Sequence, residues 1–141
     1  MMAVPATLWT SIVTVLAVLV YFWTSMGVGR LRGKHGIKAP AMTGHPEFER
    51  AVRVQMNTLE AMPIFLVLLW MATIYSPWMG WLPATLGVIW VIGRVLYMQG
   101  YMADPEKRGT GFTISMLANL GLLILSVWGI VNAWMALSAS T

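Results

Sequence analysis

Four long apolar stretches, separated by short breaks, dominate the pattern of hydrophobic and polar positions along the chain. At 1.5 Å per residue, helices of these lengths match or exceed the roughly 30 Å hydrocarbon core of a bilayer. The pattern predicts an all-α membrane protein, a four-transmembrane-helix bundle, with residues 1–141 forming a single domain. The expected helices cover about residues 5–29, 47–75, 84–102 and 110–137.

The first stretch is expected to be a retained transmembrane helix. No basic segment precedes it and no small-residue cleavage site follows it, in contrast to a signal peptide. Gly27 and Gly29 are expected to loosen its end before the basic residues that start at Arg30. Glycine, proline and basic residues then predict a polar loop over 30–46.

The second stretch begins charged and ends fully apolar. Arg53, Asn57 and Glu60 stand at i, i+4 and i+7, so a helix carries them on one face. Ionisable groups at the edge of a membrane are costly and usually face a bundle interior or a wet cavity. Pro63 lies within this stretch, and its missing N–H predicts a kink that leaves the Leu59 carbonyl free.

The third stretch repeats this pattern at its end, where Arg94, Tyr97 and Tyr101 stand at i, i+3 and i+7. Four successive crossings place both charged loops on one side of the membrane, so the two polar stripes lie at the same depth. By the positive-inside rule we expect loops 30–46 and 103–109 to be cytoplasmic.

Composition narrows the possible chemistry. Hydrophobic residues make up 58% of the chain and charged residues only 10%, which excludes a soluble domain and a nucleic-acid surface. The chain has no cysteine, so any thiol chemistry must come from a substrate. His35 and His45 share a loop without helical spacing, and no metal site is expected there.

The polar layer suits a peptide-like anion such as glutathione. Arginines pair with carboxylates, Glu60 would pair with an ammonium group, and Asn57 and Gln55 would bond amide edges. A nearby arginine would also stabilise the thiolate, which is the nucleophile. Lowering a thiol pKa of about 8.5 by ~2 units takes ~2.7 kcal/mol, which one poorly solvated guanidinium can supply.

Two motifs resemble those of the MAPEG family, the membrane-associated proteins in eicosanoid and glutathione metabolism. The first is Phe48-Glu49-Arg50-x-x-Arg53-x-Gln55-x-Asn57-x-x-Glu60-x-x-Pro63. The second is Arg94-x-x-Tyr97-x-Gln99-Gly100-Tyr101, followed by Arg108. The resemblance extends from the basic loop to the fourth helix.

The resemblance implies a homotrimer that binds glutathione between adjacent subunits and a lipophilic co-substrate from the membrane. The implied activity is a detoxifying glutathione transferase or peroxidase, acting on lipophilic electrophiles or hydroperoxides. Arg108 would be catalytic, activating the thiol as in the leukotriene C4 synthase branch, with Arg94 and Pro63 as structural support. The glutathione-binding residues would be Arg32, Arg53, Gln55, Asn57, Glu60, Tyr97 and Tyr101.

The chain departs from the family pattern at two places. Ala61 stands where the leukotriene C4 synthase-like pattern has a tyrosine, so one glutathione contact is expected to be missing or supplied elsewhere. Arg32 aligns at the end of the first helix with Arg30 two residues earlier, and which of the two faces glutathione is left open.

Two other functions compete with the enzyme. A non-catalytic lipid-binding scaffold of the same fold would lack the glutathione residues and Arg108. A small multidrug transporter would hold its lone carboxylate in mid-membrane, away from an arginine on the same face. The absence of a retention or lipidation tail favours a bacterial inner membrane over the endoplasmic reticulum. The second substrate is not identified by the sequence.

Overall fold

A computed structural model describes residues 5–140; residues 1–4 and 141, the ends of the expected 1–141 domain, lie outside the described part. Four long helices within it are long and apolar enough to cross a membrane, which confirms the all-α class and the four apolar helices. They are α1 (Ala6–Lys34), α2 (Pro46–Tyr75), α3 (Leu82–Ala103) and α4 (Gly109–Ala139), with short 3-10 helices at Pro77–Met79 and Pro105–Arg108.

The end of α1 differs from the expectation. The helix continues to Lys34 instead of ending near residue 29, so the polar loop covers only 35–45 and not 30–46. Each interior glycine costs about 1 kcal/mol relative to alanine. This cost is offset because Val28 and Leu31 are buried in a small core with Phe48 of α2. Packing across the helix pair therefore keeps the glycine-rich segment helical.

The start of α2 is set by local chemistry. His45 is the residue before the helix, with an extended backbone, and its Nδ1 accepts a hydrogen bond from the Glu47 N–H at 3.2 Å. Pro46 follows at the first helical position, where its missing N–H costs nothing, and Glu47 and Glu49 complement the helix dipole. From this start α2 runs without a break past Pro63 to Tyr75.

The bundle is built around α2 and α3. Helix α1 packs on one side of this pair and α4 on the other. In the central core, the Phe65 and Trp90 rings stack with centroids 3.9 Å apart, and Leu69 and Leu122 are fully buried. This apolar core lies next to the polar groups of α2 and α3 and supports them.

Glycines set the distance between α3 and α4. A Cβ on Gly111 would collide with the backbone of Tyr97, and one on Gly93 would collide with Ser115. Gly100 plays the same part for the loop, because a Cβ there would meet the Lys107 carbonyl. The glycines thus let the segment before α4 fold back against the end of α3.

Candidate functional site

One polar cavity of about 270 Å³ lies between the first half of α2, the end of α3 and the second 3-10 helix. Six of the residues expected from the sequence line it, joined by Met56. The complete lining is Arg53, Met56, Asn57, Glu60, Tyr97, Tyr101 and Arg108. We call this space the polar cavity.

The helical spacing explains how α2 and α3 contribute. Arg53, Asn57 and Glu60 face the cavity because residues three and four apart share one face of a helix. Tyr97 and Tyr101 are one turn apart on α3, and their ring centroids lie 5.7 Å from each other. The cavity therefore offers a cation, an amide, a carboxylate and two phenol rings within one layer of the bundle.

Arg108 reaches the cavity from the second 3-10 helix. This short helix is stabilised at its start by Asp104, whose carboxylate accepts a hydrogen bond from the Glu106 N–H at 3.0 Å. Arg108 Nη1 donates to the Pro105 carbonyl at 2.9 Å, and its guanidinium carbon lies 5.7 Å from the centre of the Tyr101 ring. The side chain is held by the loop but keeps donors for a ligand.

Arg94 lies beneath the cavity and is only 2% exposed. Its Nη2 donates to Asn57 Oδ1 at 3.0 Å and to Thr58 Oγ1 at 2.8 Å. Its guanidinium carbon also sits 4.3 Å from the centre of the Tyr97 ring. The buried arginine thus fixes the orientation of two cavity residues, Asn57 by a hydrogen bond and Tyr97 by stacking.

The other expected residues lie elsewhere. Gln55 turns toward α1, where its Nε2 donates to Ser25 Oγ at 3.0 Å. Arg32 stacks over the Phe48 ring at 4.9 Å and donates to the Ala41 carbonyl at 2.8 Å. Arg30 lines a different cavity of about 210 Å³ between α1, α2 and α3. Neither arginine of α1 lines the polar cavity of its own chain.

Pro63 lies inside α2, one turn beyond Glu60, with an exposed side chain. Because proline has no backbone N–H, the Leu59 carbonyl lacks its usual donor at this point. The proline thus marks the boundary between the polar first half of α2 and its apolar second half.

Two further cavities continue the polar one in opposite directions. A vestibule of about 620 Å³ shares Arg53, Met56 and Tyr101 with it and extends to the 35–45 loop, where Met42 and Thr43 line it. On the other side is a lower cavity of about 210 Å³, which shares Asn57 and Glu60. The three cavities therefore adjoin one another, from the loop toward the apolar half of the bundle.

The loop holds a cluster that spacing alone did not reveal. His35, His45 and Glu47 bring one ligand atom each within 4.8 Å of one another, which is close enough to consider a metal ion. The two imidazole rings are stacked with centroids 3.6 Å apart, however, so their lone pairs run nearly parallel. One Glu47 oxygen also contacts both His35 Nε2 and Lys34 Nζ at 2.9 Å. This arrangement favours a set of polar contacts that joins the end of α1 to the start of α2 over a metal site.

Comparison with known proteins agrees with this architecture. The MAPEG family profile matches residues 10–128. An uncharacterised protein of Synechocystis is 42% identical over 125 residues, covering 86% of this chain and 90% of its own length. Human microsomal glutathione S-transferase 2 is 37% identical over 123 residues, covering 87% and 82%. Guinea pig (Cavia porcellus) leukotriene C4 synthase is 34% identical over 127 residues, covering 90% and 83%. The chain belongs to the MAPEG family.

Proposed function

We propose that this protein is a membrane-bound glutathione transferase that binds glutathione in the polar cavity. One observation carries the proposal: α2, α3 and the second 3-10 helix bring six polar or aromatic residues into one cavity. The names of two relatives, a glutathione S-transferase and leukotriene C4 synthase, support the same activity at the family level. Glutathione is therefore the co-substrate that we assign to the cavity.

The groups of the cavity match the parts of glutathione. Arg53 pairs with a carboxylate, since a guanidinium offers two parallel donors. Glu60 accepts from the ammonium group, and Asn57, held in place by Arg94, bonds to an amide. The hydroxyl groups of Tyr97 and Tyr101 donate to the remaining oxygens. One carboxylate and the ammonium group of the tripeptide thus meet groups of opposite charge.

Arg108 is the catalytic residue in this proposal. It approaches from the loop, and its position beside Tyr101 leaves donors for the thiol group. Stabilising the thiolate by ~2.7 kcal/mol lowers the thiol pKa by ~2 units, so that most of the bound thiol is ionised near neutral pH. The thiolate then attacks an electrophilic carbon of a lipophilic substrate.

The bond changes are simple. In the transfer reaction a sulfur–carbon bond forms, and the leaving group departs with its electron pair or an epoxide ring opens and takes a proton from water. With a hydroperoxide, the thiolate attacks the terminal oxygen, a sulfur–oxygen bond forms, the O–O bond breaks, and the alkoxide takes a proton from water and leaves as an alcohol. A second glutathione thiolate then attacks the sulfur of the resulting sulfenic acid, so that an S–S bond forms and the S–O bond breaks. The departing hydroxide takes a proton and becomes water.

We further propose that the working form is a homotrimer with the site between subunits. Gln55 and Arg32 lie on the α1 side of α2, away from the polar cavity of the same chain. In a ring of copies, the α1–α2 face of one subunit can approach the cavity of the next and complete it. We place the protein in a bacterial inner membrane, with its charged loops in the cytoplasm, where glutathione is supplied.

An ultraviolet difference titration tests the proposed function. Detergent-solubilised protein is titrated with glutathione near pH 7, and the thiolate absorbance is followed for wild type, Arg108→Ala and Lys107→Ala. Lys107 is the matched control, because it is the adjacent cation and does not line the polar cavity. We expect a saturating thiolate signal in wild type and Lys107→Ala, and its loss in Arg108→Ala with binding retained.

The other outcomes are equally informative. A thiolate signal that survives in Arg108→Ala assigns activation to another arginine, and Arg53 is then tested next. If wild-type protein binds no glutathione, the enzyme proposal fails and a lipid-binding scaffold of the same fold takes its place.

A further inference from the structure

Unpaired polar atoms gather around the lower cavity. Within residues 5–140, four buried side-chain polar atoms have no hydrogen-bond partner, and three of these belong to Trp90, Arg94 and Asn119. All three residues line the lower cavity. The indole of Trp90 is fully buried and stacked on Phe65, which fixes the direction of its N–H. All three unpaired atoms therefore belong to residues that border one cavity.

Such atoms require an explanation. A buried polar group without a partner costs about 1–3 kcal/mol, and few are tolerated in a folded chain. This cost arises within the membrane-spanning part of the chain, since Asn119 is the eleventh of the 31 residues of the apolar helix α4. Polar residues at this depth commonly mark a path for a substrate or a contact with a partner.

The remaining lining of the lower cavity is polar only at Asn57 and Glu60, which it shares with the polar cavity, and at Ser115, whose hydroxyl donates to the Gly111 carbonyl. Ala61, Ile64, Phe112 and Met116 form the wall, and the last three side chains are exposed toward the surroundings of the bundle. An occupant must therefore be largely apolar, with one oxygen group for the indole N–H and the Asn119 carbonyl oxygen. A hydroxyl group fits this pair, because it donates and accepts at once.

We propose that Asn119 and Trp90 form a polar contact within the lower cavity that selects lipophilic substrates carrying a hydroxyl group remote from the reacting carbon. This inference rests on the proposed function for the occupant's reaction with glutathione. Asn119 follows Arg108 by eleven residues, which is about 16 Å along the axis of α4. The hydroxyl group therefore belongs near the far end of a medium-length chain whose electrophilic carbon reaches the polar cavity.

The test compares two substrates that differ only in this group, dodec-2-enal and 12-hydroxydodec-2-enal. In both, the thiolate adds to carbon 3, and carbon 2 takes a proton from water, so nothing leaves. We measure kcat/KM in lipid nanodiscs for wild type, Asn119→Leu, Trp90→Phe and Asn132→Leu. Asn132 is the matched control, because it is an asparagine of the same helix about 20 Å further along its axis.

We expect wild type and Asn132→Leu to prefer the hydroxylated enal by about tenfold, the value of one hydrogen bond in a dry site. Asn119→Leu should abolish the preference, because leucine keeps the branched shape of asparagine and removes both of its polar atoms. Trp90→Phe should reduce the preference, since phenylalanine keeps the stack on Phe65 and removes the N–H. The dependence on the substrate hydroxyl separates recognition from a general loss of folding.

A second readout does not depend on catalysis. Retention of 1-dodecanol and of dodecane is measured by native mass spectrometry for wild type and Asn119→Leu. We expect wild type to retain the alcohol and Asn119→Leu to lose it, whatever the reaction rate.

The outcomes distinguish the two proposals. If neither enal reacts with glutathione but the alcohol is retained through Asn119, the proposed function fails and the hydroxyl contact stands. If wild type shows no preference in either readout, or if the preference persists in Asn119→Leu, the contact is overturned. A change of oligomeric mass in Asn119→Leu with an unchanged preference assigns Asn119 to a subunit contact instead.

Discussion

The two ends of the helical bundle use polar groups in opposite ways. At the uncharged end, hydroxyl groups tie helices to one another: Thr10 Oγ1 and Thr73 Oγ1 are 2.7 Å apart, and Ser76 Oγ donates to the Leu125 carbonyl at 3.2 Å. At the charged end, Arg53 and Glu60 line a cavity and have no hydrogen bond within the described chain. The uncharged end uses its polar groups within the protein, whereas Arg53 and Glu60 at the charged end are free for the ligand that we propose.

This difference separates stability from binding. Changes at the uncharged end should alter the free energy of unfolding and leave glutathione affinity unchanged. Changes in the lining of the polar cavity should alter glutathione affinity and leave the free energy of unfolding unchanged, since an exposed charge there contributes little to folding. The residues that support the polar cavity from below lie between the two ends of the bundle. Changes in them should affect both stability and glutathione affinity.

The largest effect is expected where α3 and α4 touch at the cavity. In Gly111→Ala the new methyl group would collide with the Tyr97 backbone, and a backbone atom cannot swing aside. We expect a loss of about 3 kcal/mol or more in stability, with loss of glutathione binding as Tyr97 moves. Thermal unfolding in detergent and glutathione titration measure both.

Gly109→Ala is the matched control for that change. Gly109 is only two residues away, and a Cβ there meets nothing within 4 Å. It should unfold at the wild-type temperature or slightly above, because alanine reduces the freedom of the unfolded chain. Equal melting temperatures for the two variants would refute the close contact of α3 and α4.

Glu60→Gln should weaken glutathione binding by about 20-fold, since hydrogen bonds to charged groups are worth ~1.5–3 kcal/mol. The melting temperature of the free protein should not change. Calorimetric titration compares glutathione with its analogue that lacks the α-amino group. Wild type and Glu60→Gln should bind this analogue equally, and an equal loss for both ligands would show that Glu60 does not contact the ammonium group.

Arg94→Met tests the support beneath the cavity. Methionine keeps much of the side-chain volume and removes the donors to Asn57 and Thr58. We expect about tenfold weaker glutathione binding, because Asn57 loses its orientation, while replacing a buried charge by an apolar chain keeps stability within ~2 kcal/mol. Unchanged affinity would show that Asn57 is positioned without Arg94.

Much of this architecture was predictable, because membrane-spanning helices are recognised by their length and apolar composition. The apolar stretches gave the four helices, and helical spacing with equal membrane depth predicted which side chains of α2 and α3 would lie together. The structure places Arg53, Asn57 and Glu60 beside Tyr97 and Tyr101, as that argument required. Their role in glutathione binding stays a prediction.

The remainder depends on tertiary contacts that no local pattern encodes. The helical form of residues 30–34 follows from burial of Leu31 against Phe48, which outweighs the low helix propensity of glycine. Gln55 lies two residues after Arg53 on α2, which turns its side chain to a different face of the helix, and it donates to Ser25. Glu47 contacts His35 because the loop brings the ends of α1 and α2 together, and no repeating pattern in the sequence indicates such a contact.

The smallest effect is expected from Thr10→Val at the uncharged end. Thr73 Oγ1 still donates to the Leu69 carbonyl at 2.8 Å in this variant, so no buried donor is left unpaired. The loss should be near 0.6 kcal/mol, the average for a hydrogen bond between membrane helices. The melting temperature should fall slightly, and the Kd for glutathione should stay within twofold of wild type. A clear loss of glutathione affinity would show that the two ends are coupled, because Thr10 lies at the opposite end of the bundle from the polar cavity.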